Sequence, residues 1–405
     1  MKRRHFIQSA AAGMLAMTGS SAWAALDTNA AAAATGKKSL YAPTRYAYVS
    51  DRISHFISIV DIVNGEYIDS LYIGMRPQIL EVARDDAMLA AAAQEVAGIY
   101  FCNLRTRETR MVRLPSPAYQ IFFLPQTKLV AIGLRDQVGL INYEDFSVKL
   151  FSRRFDSPNR KTPLNTFYSL LFSSFSQSFW VLDEEKPMLY RNYGDADPDS
   201  PWQEIDLSKR VQTRSGLGIG VASPEDYLLA MTTDDGAEGL VYYPEEDKLV
   251  STGPMRTAGT TNEPMLMPYI DAYSRHVIFA DVEGNVALFD LSKDRDKAQR
   301  FHVRFSPRVI RTGWLESTWI LGGDKGLLFQ SFDDPEDRKL YRFPAEVLNI
   351  WVTGDSKTAL VSIDEQRAQL FRYDIRTREM LEPIRVRNTT MASLIRMGSN
   401  NSICY

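Results

Sequence analysis

YAYVSDRISHFISIVDIVNGEYIDSLYIGMRP, residues 46–77, is the stretch from which the fold can be read. Apolar and polar residues alternate in three runs, Tyr46 to Ser50, Ile57 to Ile62 and Tyr67 to Ile73, and Asn64-Gly65 separates the last two. Period-two alternation broken by Asn-Gly predicts short antiparallel strands joined by a hairpin. A three-strand meander cannot bury both of its faces, so these strands need neighbours.

The neighbours are in the same chain. The turn in VDIVNGEY, at Val60, recurs as CNLRTRET at Cys102, NYEDFSVK at Asn142, FDLSKDRD at Phe289 and YDIRTREM at Tyr373. Asp61 and Asn103 are 42 residues apart, Asp290 and Asp374 twice that, and the whole series averages about 45 residues per unit, the size of a four-stranded propeller blade. With the inner strand placed first, units fall at Gln78 to Pro115, Ala118 to Phe155, Asn165 to Leu207, Gly216 to Met255, Glu263 to Phe305, Arg308 to Phe343 and Val347 to Ile384. Tyr46 to Ile73 then supplies three outer strands without an inner one, and Thr389 to Met397 an inner strand without outer ones. Pairing the two closes the ring and removes the exposed edges an open array would leave. The sequence therefore predicts an all-β, single β-propeller of eight blades spanning residues 46–405, or seven if the insertion NYGDADPDSPWQ has been miscounted.

MKRRHFIQSAAAGMLAMTGSSAWA, residues 1–24, has the basic start, apolar segment and Ala-x-Ala end of an export signal, and Arg3-Arg4 gives it the twin-arginine form, with the Sec form as alternative. The expected location is the periplasm, with residues 25–45 a flexible lead-in. No later run is long and apolar enough to span a membrane. Setting Lys2, Arg3 and Arg4 aside takes the net charge from −3 to −6, which argues against a nucleic-acid partner. Cys102 and Cys404 are too few for a disulfide framework or thiolate metal site, whether or not they pair with each other.

The opening stretch, with its Tyr-Val and Val-Asp strands and Gly-x-x-Pro junction, resembles the repeat of YVTN-type β-propellers. VLNIWVTGDSKTALVSIDEQRAQLFRYDIRTREMLEPIRVRNTTMASLIRM, from Val347, is similar to the last blade and closing strand of the propeller subunit of periplasmic amine dehydrogenases of the quinohemoprotein type. That resemblance implies a non-catalytic chain, carrying no covalent cofactor, that docks other periplasmic redox subunits. Those propellers have seven blades, a departure from the count here.

Chemistry leaves little trace in the sequence. His55, His276 and His302 lie far apart and in no metal-ligand spacing, and neither a haem-attachment Cys-x-x-Cys-His nor a Gly-x-Ser-x-Gly elbow is present. The glycines of GLGIGVASP, from Gly216, are expected to allow close backbone approach at the ring centre rather than to hold phosphate. Trp202, after DADPDSP, is expected to project from its loop as a contact residue. Residues where the chain enters the inner strands, Arg76, Gln78, Tyr119, Tyr168, Asn262, Glu263, Arg308 and Asn349, form a candidate ligand or partner face; the alternative is that they only satisfy strand-end backbone groups. Three functions remain: a docking subunit of a redox enzyme, a cofactor-binding or assembly propeller with Arg76 and Arg308 meeting the propionates of a haem-like ligand, and a propeller lactonase or lyase.

Overall fold

The computed structural model describes residues 40, 42, 44–85, 87–155, 168–193, 199–211, 216–225, 227–256, 265–365, 368–389 and 391–398, with Tyr168 by its backbone alone. The export signal, residues 25–39 of the lead-in, Asn262, Glu263 and Cys404 lie outside the described residues.

Eight four-stranded antiparallel sheets form the ring of a β-propeller, and no helix occurs among the described residues. Each of seven blades is a run of four consecutive strands; the inner strands are Ile79–Val82, Gln120–Phe123, Tyr168–Ser173, Leu217–Ala222, Tyr269–Ile270, Pro307–Gly313 and Val347–Val352. The eighth sheet, called here the first blade, joins Tyr46–Ser50, Phe56–Asp61 and Glu66–Tyr72 to Leu394–Arg396 from the far end of the chain. Tyr48, Val49 and Ser50 stand opposite Arg396, Ile395 and Leu394 in that closing pair. The seam is held beyond the ladder as well: Met391 N donates to Asp51 Oδ2 at 3.2 Å, and Ile395 and Met397 are buried.

The recurring turn has a local cause. Asp61 Oδ1 accepts from the amides of Val63 and Asn64 at 2.9 and 3.0 Å, and Asn103 Oδ1 accepts from Arg105 and Thr106 at 2.9 and 3.2 Å. Asn142, Asp290 and Asp374 each cap their own turns in the same way. Four residues on from Asp61, Asn103, Asn142 and Asp374, the chain enters the left-handed region at Gly65, Arg107, Phe146 and Arg378, with φ of 72°, 64°, 62° and 55°. Asp61 pairs with Glu66, so the loop has four residues and only Gly65 of the Asn-Gly pair has positive φ. The Asx side chain, more than the glycine, carries the repeat.

Each seam between adjacent blades has its own apolar core. Tyr48, Ile59, Leu80 and Leu89 fill the first–second seam; Trp319, Leu321, Ile278 and Val303 fill the sixth–seventh; Ile395, Trp351 and Leu360 fill the closing one. Stability therefore accumulates seam by seam, as expected of a repeat array. Ion pairs pin several seams at the rim: Arg107 to Asp69, Arg153 to Glu204, Arg210 to Asp247, Arg295 to Glu246, Lys248 to Asp296 and Arg378 to Asp337, all at 2.5–2.9 Å.

Trp202 corrects an expectation. It is only 8% exposed and meets Phe151 and Phe155 edge-on at 5.6 and 5.2 Å, filling the third–fourth seam instead of projecting as a contact. A large ring beside two aromatic neighbours gains more from burial than from solvent, whatever the length of the loop before it.

Candidate functional site

The inner strands border the central channel, and three of their residues carry charge into its lining: Glu81, Arg311 and Arg396. They help line a channel cavity of about 460 Å³, together with Arg52, Arg84, Tyr119, Ile219, Met267 and Trp351. Such a volume lies in the usual range for small-molecule sites.

Arg396 Nε donates to Glu81 Oε1 at 2.9 Å, its Nη1 reaches its own strand at Ile395 O, and its guanidinium lies 4.9 Å from the centre of the Trp351 ring. This arrangement ties the closing strand to the second blade. Arg311 Nη1 donates to Ile310 O at 2.6 Å, with its guanidinium 5.7 Å from the Tyr269 ring. Burial pushes the Glu81 carboxyl above the usual carboxylate range, and the charges of Arg396 and Arg311 offset that only in part. With Arg52 and Arg84 also on the wall, cations outnumber the one lining acid. Ile219, 39% exposed, presents an apolar surface into the same space. A cationic, partly apolar channel suits an anionic ligand with a hydrophobic body.

The residues singled out from sequence are dispersed. Of the described ones, Tyr119 lines the cavity and its amide donates to Gly133 O at 2.8 Å. Gln78 Oε1 accepts from the Gln94 amide at 2.7 Å, and Asn349 Nδ2 donates to Ser393 O at 3.0 Å, both satisfying backbone. Arg308 is paired with Glu346 at 2.7 Å, Arg76 is exposed, and neither is among the residues lining the channel cavity. Sequence reasoning looked at the strand ends and missed Glu81, Arg311 and Arg396. The signal was available: a charge inside an otherwise apolar inner strand must face either a core or the channel, and cores do not accept it unpaired.

No cluster of three or more metal-ligating side chains occurs among the described residues. His276 Nδ1 lies 2.6 Å from the fully buried Asp271 Oδ2, and its ring stacks on Phe332 at 3.8 Å, which pins a turn. The buried Cys102 thiol is pushed up to about 12 by desolvation, so it is no nucleophile. A Cβ on Gly218 or Gly220 would come within 2.5 Å of Thr232 Oγ1 or 2.8 Å of Ala230 O. The glycines thus permit close approach between the first two strands of their blade, and Gly220 also lines the channel cavity.

Fold and channel together define an eight-bladed β-propeller with a charged central cavity. No protein-family model and no curated protein matches the sequence. Among solved structures the chain is similar to one described as dihydro-heme d1 dehydrogenase NirN in complex with DHE, with a TM-score of 0.67, 14% sequence identity, and coverage of 88% of this chain and 76% of that one. At that identity the likeness shows the fold alone.

Proposed function

We propose that this chain is a periplasmic cofactor-binding propeller whose central channel takes a planar, carboxylate-bearing ligand of the tetrapyrrole class. The observation that carries the reading is the pair of channel guanidiniums, Arg311 and Arg396, in a cavity of about 460 Å³ that also presents Ile219 and Met267. Guanidinium forks match carboxylates in shape as well as charge, and apolar walls suit a macrocycle. The residues fit the periphery of such a ligand better than a metal at its centre, because no histidine lines the cavity among the described residues, although Met267 brings a thioether. The channel's part is to bind and orient by charge and shape. Whatever redox chemistry a bound tetrapyrrole supplies belongs to that group. The similarity to a propeller described as a dihydro-heme d1 dehydrogenase supports this ligand class over the docking-subunit role, for which no channel feature calls.

Titration of the purified chain with hemin, followed by absorbance, tests the proposal. Saturable binding that Arg311→Gln weakens about tenfold is expected for loss of one charge-assisted contact. A flat spectrum, or equal affinity in the variant, would sink it.

A further inference from the structure

Where several other seams pin their rim with ion pairs, the sixth–seventh seam holds three arginines that enter none among the described residues. The outer strand of the seventh blade, Arg338–Arg342, reads Arg-Lys-Leu-Tyr-Arg and carries no acid. Its register against the third strand, Gly326–Ser331, sets Arg342 opposite Gly326, Leu340 opposite Leu328 and Arg338 opposite Gln330. Since opposed residues share a face, Arg338, Leu340 and Arg342 point together towards the sixth blade. There they border a cleft of about 670 Å³ with His302, Arg304 and one acid, Glu336. Lys339 and Tyr341 point the other way, and the Tyr341 hydroxyl donates to Arg378 O across the next seam. Among the described residues Arg304, Arg338 and Arg342 enter no ion pair, whereas Arg378, one seam on, is bonded to Asp337 at 2.5 Å.

The backbone of this strand is also open. Phe343 N donates to Lys325 O and Ser331 N to Asp337 O, both at 3.0 Å, so odd-numbered residues bond inward. In an antiparallel ladder the alternate residues then turn their N–H and C=O outward, which here means Arg338, Leu340 and Arg342; the Arg338 N–H is taken up by Glu336 O at 2.9 Å, and the N–H groups of Leu340 and Arg342 stay open. The residues whose side chains face the cleft are thus those that turn their backbone outward, with the N–H groups of Leu340 and Arg342 available to a further strand. Two other outer strands are blunted: Glu379–Arg385 carries Pro383 and two acids besides its arginine, and Gln203–Asp206 is acidic and four residues long.

We infer that the outer strand Arg338–Arg342 is a docking edge for an extended acidic segment of a partner protein, added as a fifth strand with the pattern acid-x-apolar-x-acid. Strand addition supplies main-chain hydrogen bonds, and the acids at alternate positions meet Arg338 and Arg342 while the apolar residue covers Leu340, itself 44% exposed. The edge lies on the rim, apart from the channel, so the inference does not depend on the ligand proposed above.

The test uses a fluorescein-labelled dodecapeptide with a Glu-Thr-Leu-Thr-Glu core, and a control of equal composition with a Glu-Glu-Leu-Thr-Thr core that cannot place both acids on one face. Fluorescence anisotropy with the full chain is expected to show binding that weakens with added NaCl and is about tenfold poorer for the control. The double variant R338E/R342E should lose about tenfold or more, while R113E, on the outer strand of the second blade, should bind as the parent does. Both variants alter exposed positions, and unchanged circular dichroism melting confirms that each is folded. Equal binding of the two peptides, undiminished binding by R338E/R342E, or no binding at low salt would each overturn the inference.

Discussion

Deleting residues 389–405 removes the inner strand of the first blade and leaves Tyr46–Ser50 as a bare edge at the centre of the disc. The loss can be sized from the buried side chains it takes away. Leu394, Ile395 and Met397 are 6%, 0% and 1% exposed, and burial of such residues contributes about 1.5–3 kcal/mol each, so the three together contribute roughly 4.5–9 kcal/mol. Total stabilities of folded domains are about 5–15 kcal/mol, so the deletion removes about a third or more of what is available. The Arg396–Glu81 pair and the Asn349–Ser393 hydrogen bond go with it, leaving Glu81 recessed in the channel without its partner. The truncated chain should be recovered mostly as aggregate, and any soluble fraction should lack a cooperative transition by circular dichroism. Ile395→Ala in the full chain provides a graded version, with an expected loss of about 2–5 kcal/mol in urea unfolding. A truncated protein that melts cooperatively at the parental temperature would refute the closure argument.

Trp202→Ala should destabilise the fold by about 3–5 kcal/mol in denaturant unfolding, as expected for a buried aromatic and not for a surface contact. Because the Glu81 carboxyl titrates above its usual range, it becomes neutral as pH falls, leaving the channel more cationic; hemin affinity should therefore rise on acidification, and Glu81→Gln should raise affinity and flatten that dependence. For Asp61, burial alone would raise the carboxyl, but Arg45 and the amides of Asn64 and Val63 hold it below the usual range. Its contribution is thus present above about pH 3.9 and lost as pH falls through the lower folded value, so Asp61→Asn should flatten the acid limb of Tm against pH. Replacing Arg3 and Arg4 by lysine is expected to leave precursor in the cytoplasm, and normal periplasmic yield would assign export to the Sec route instead.

All eight blades were legible because their signals are local. Period-two alternation, and in five blades an Asx residue capping the turn, are written within eight residues, as VDIVNGEY and CNLRTRET show. Even the composite blade could be read, since three outer strands at Tyr46 and one inner strand near Leu394 each lack what the other has. Loop length, by contrast, says nothing of where a side chain at its end comes to rest, and Trp202 is placed by Phe151 and Phe155 of another blade. The channel was only half legible for a similar reason. Glu81 and Arg396 are 315 positions apart, and nothing in either neighbourhood names the other.

In the other blades a short turn carries the chain from inner to second strand, as between Ser173 and Ser178 or Gly313 and Thr318. In the first blade that turn is the one covalent link absent: Arg396 stands opposite Tyr48 with no peptide connection between their strands. The disc consequently has no privileged starting point. A few residues joining Gly398 to Tyr46 would complete that turn, and the chain could be opened instead between Phe343 and Val347 to give a circular permutant with the same strands in the same sheets. Loop-closure entropy varies only slowly with loop length, so the permutant should keep most of the parental stability. Its weak point under mechanical load would move from the first blade to the seventh–eighth seam.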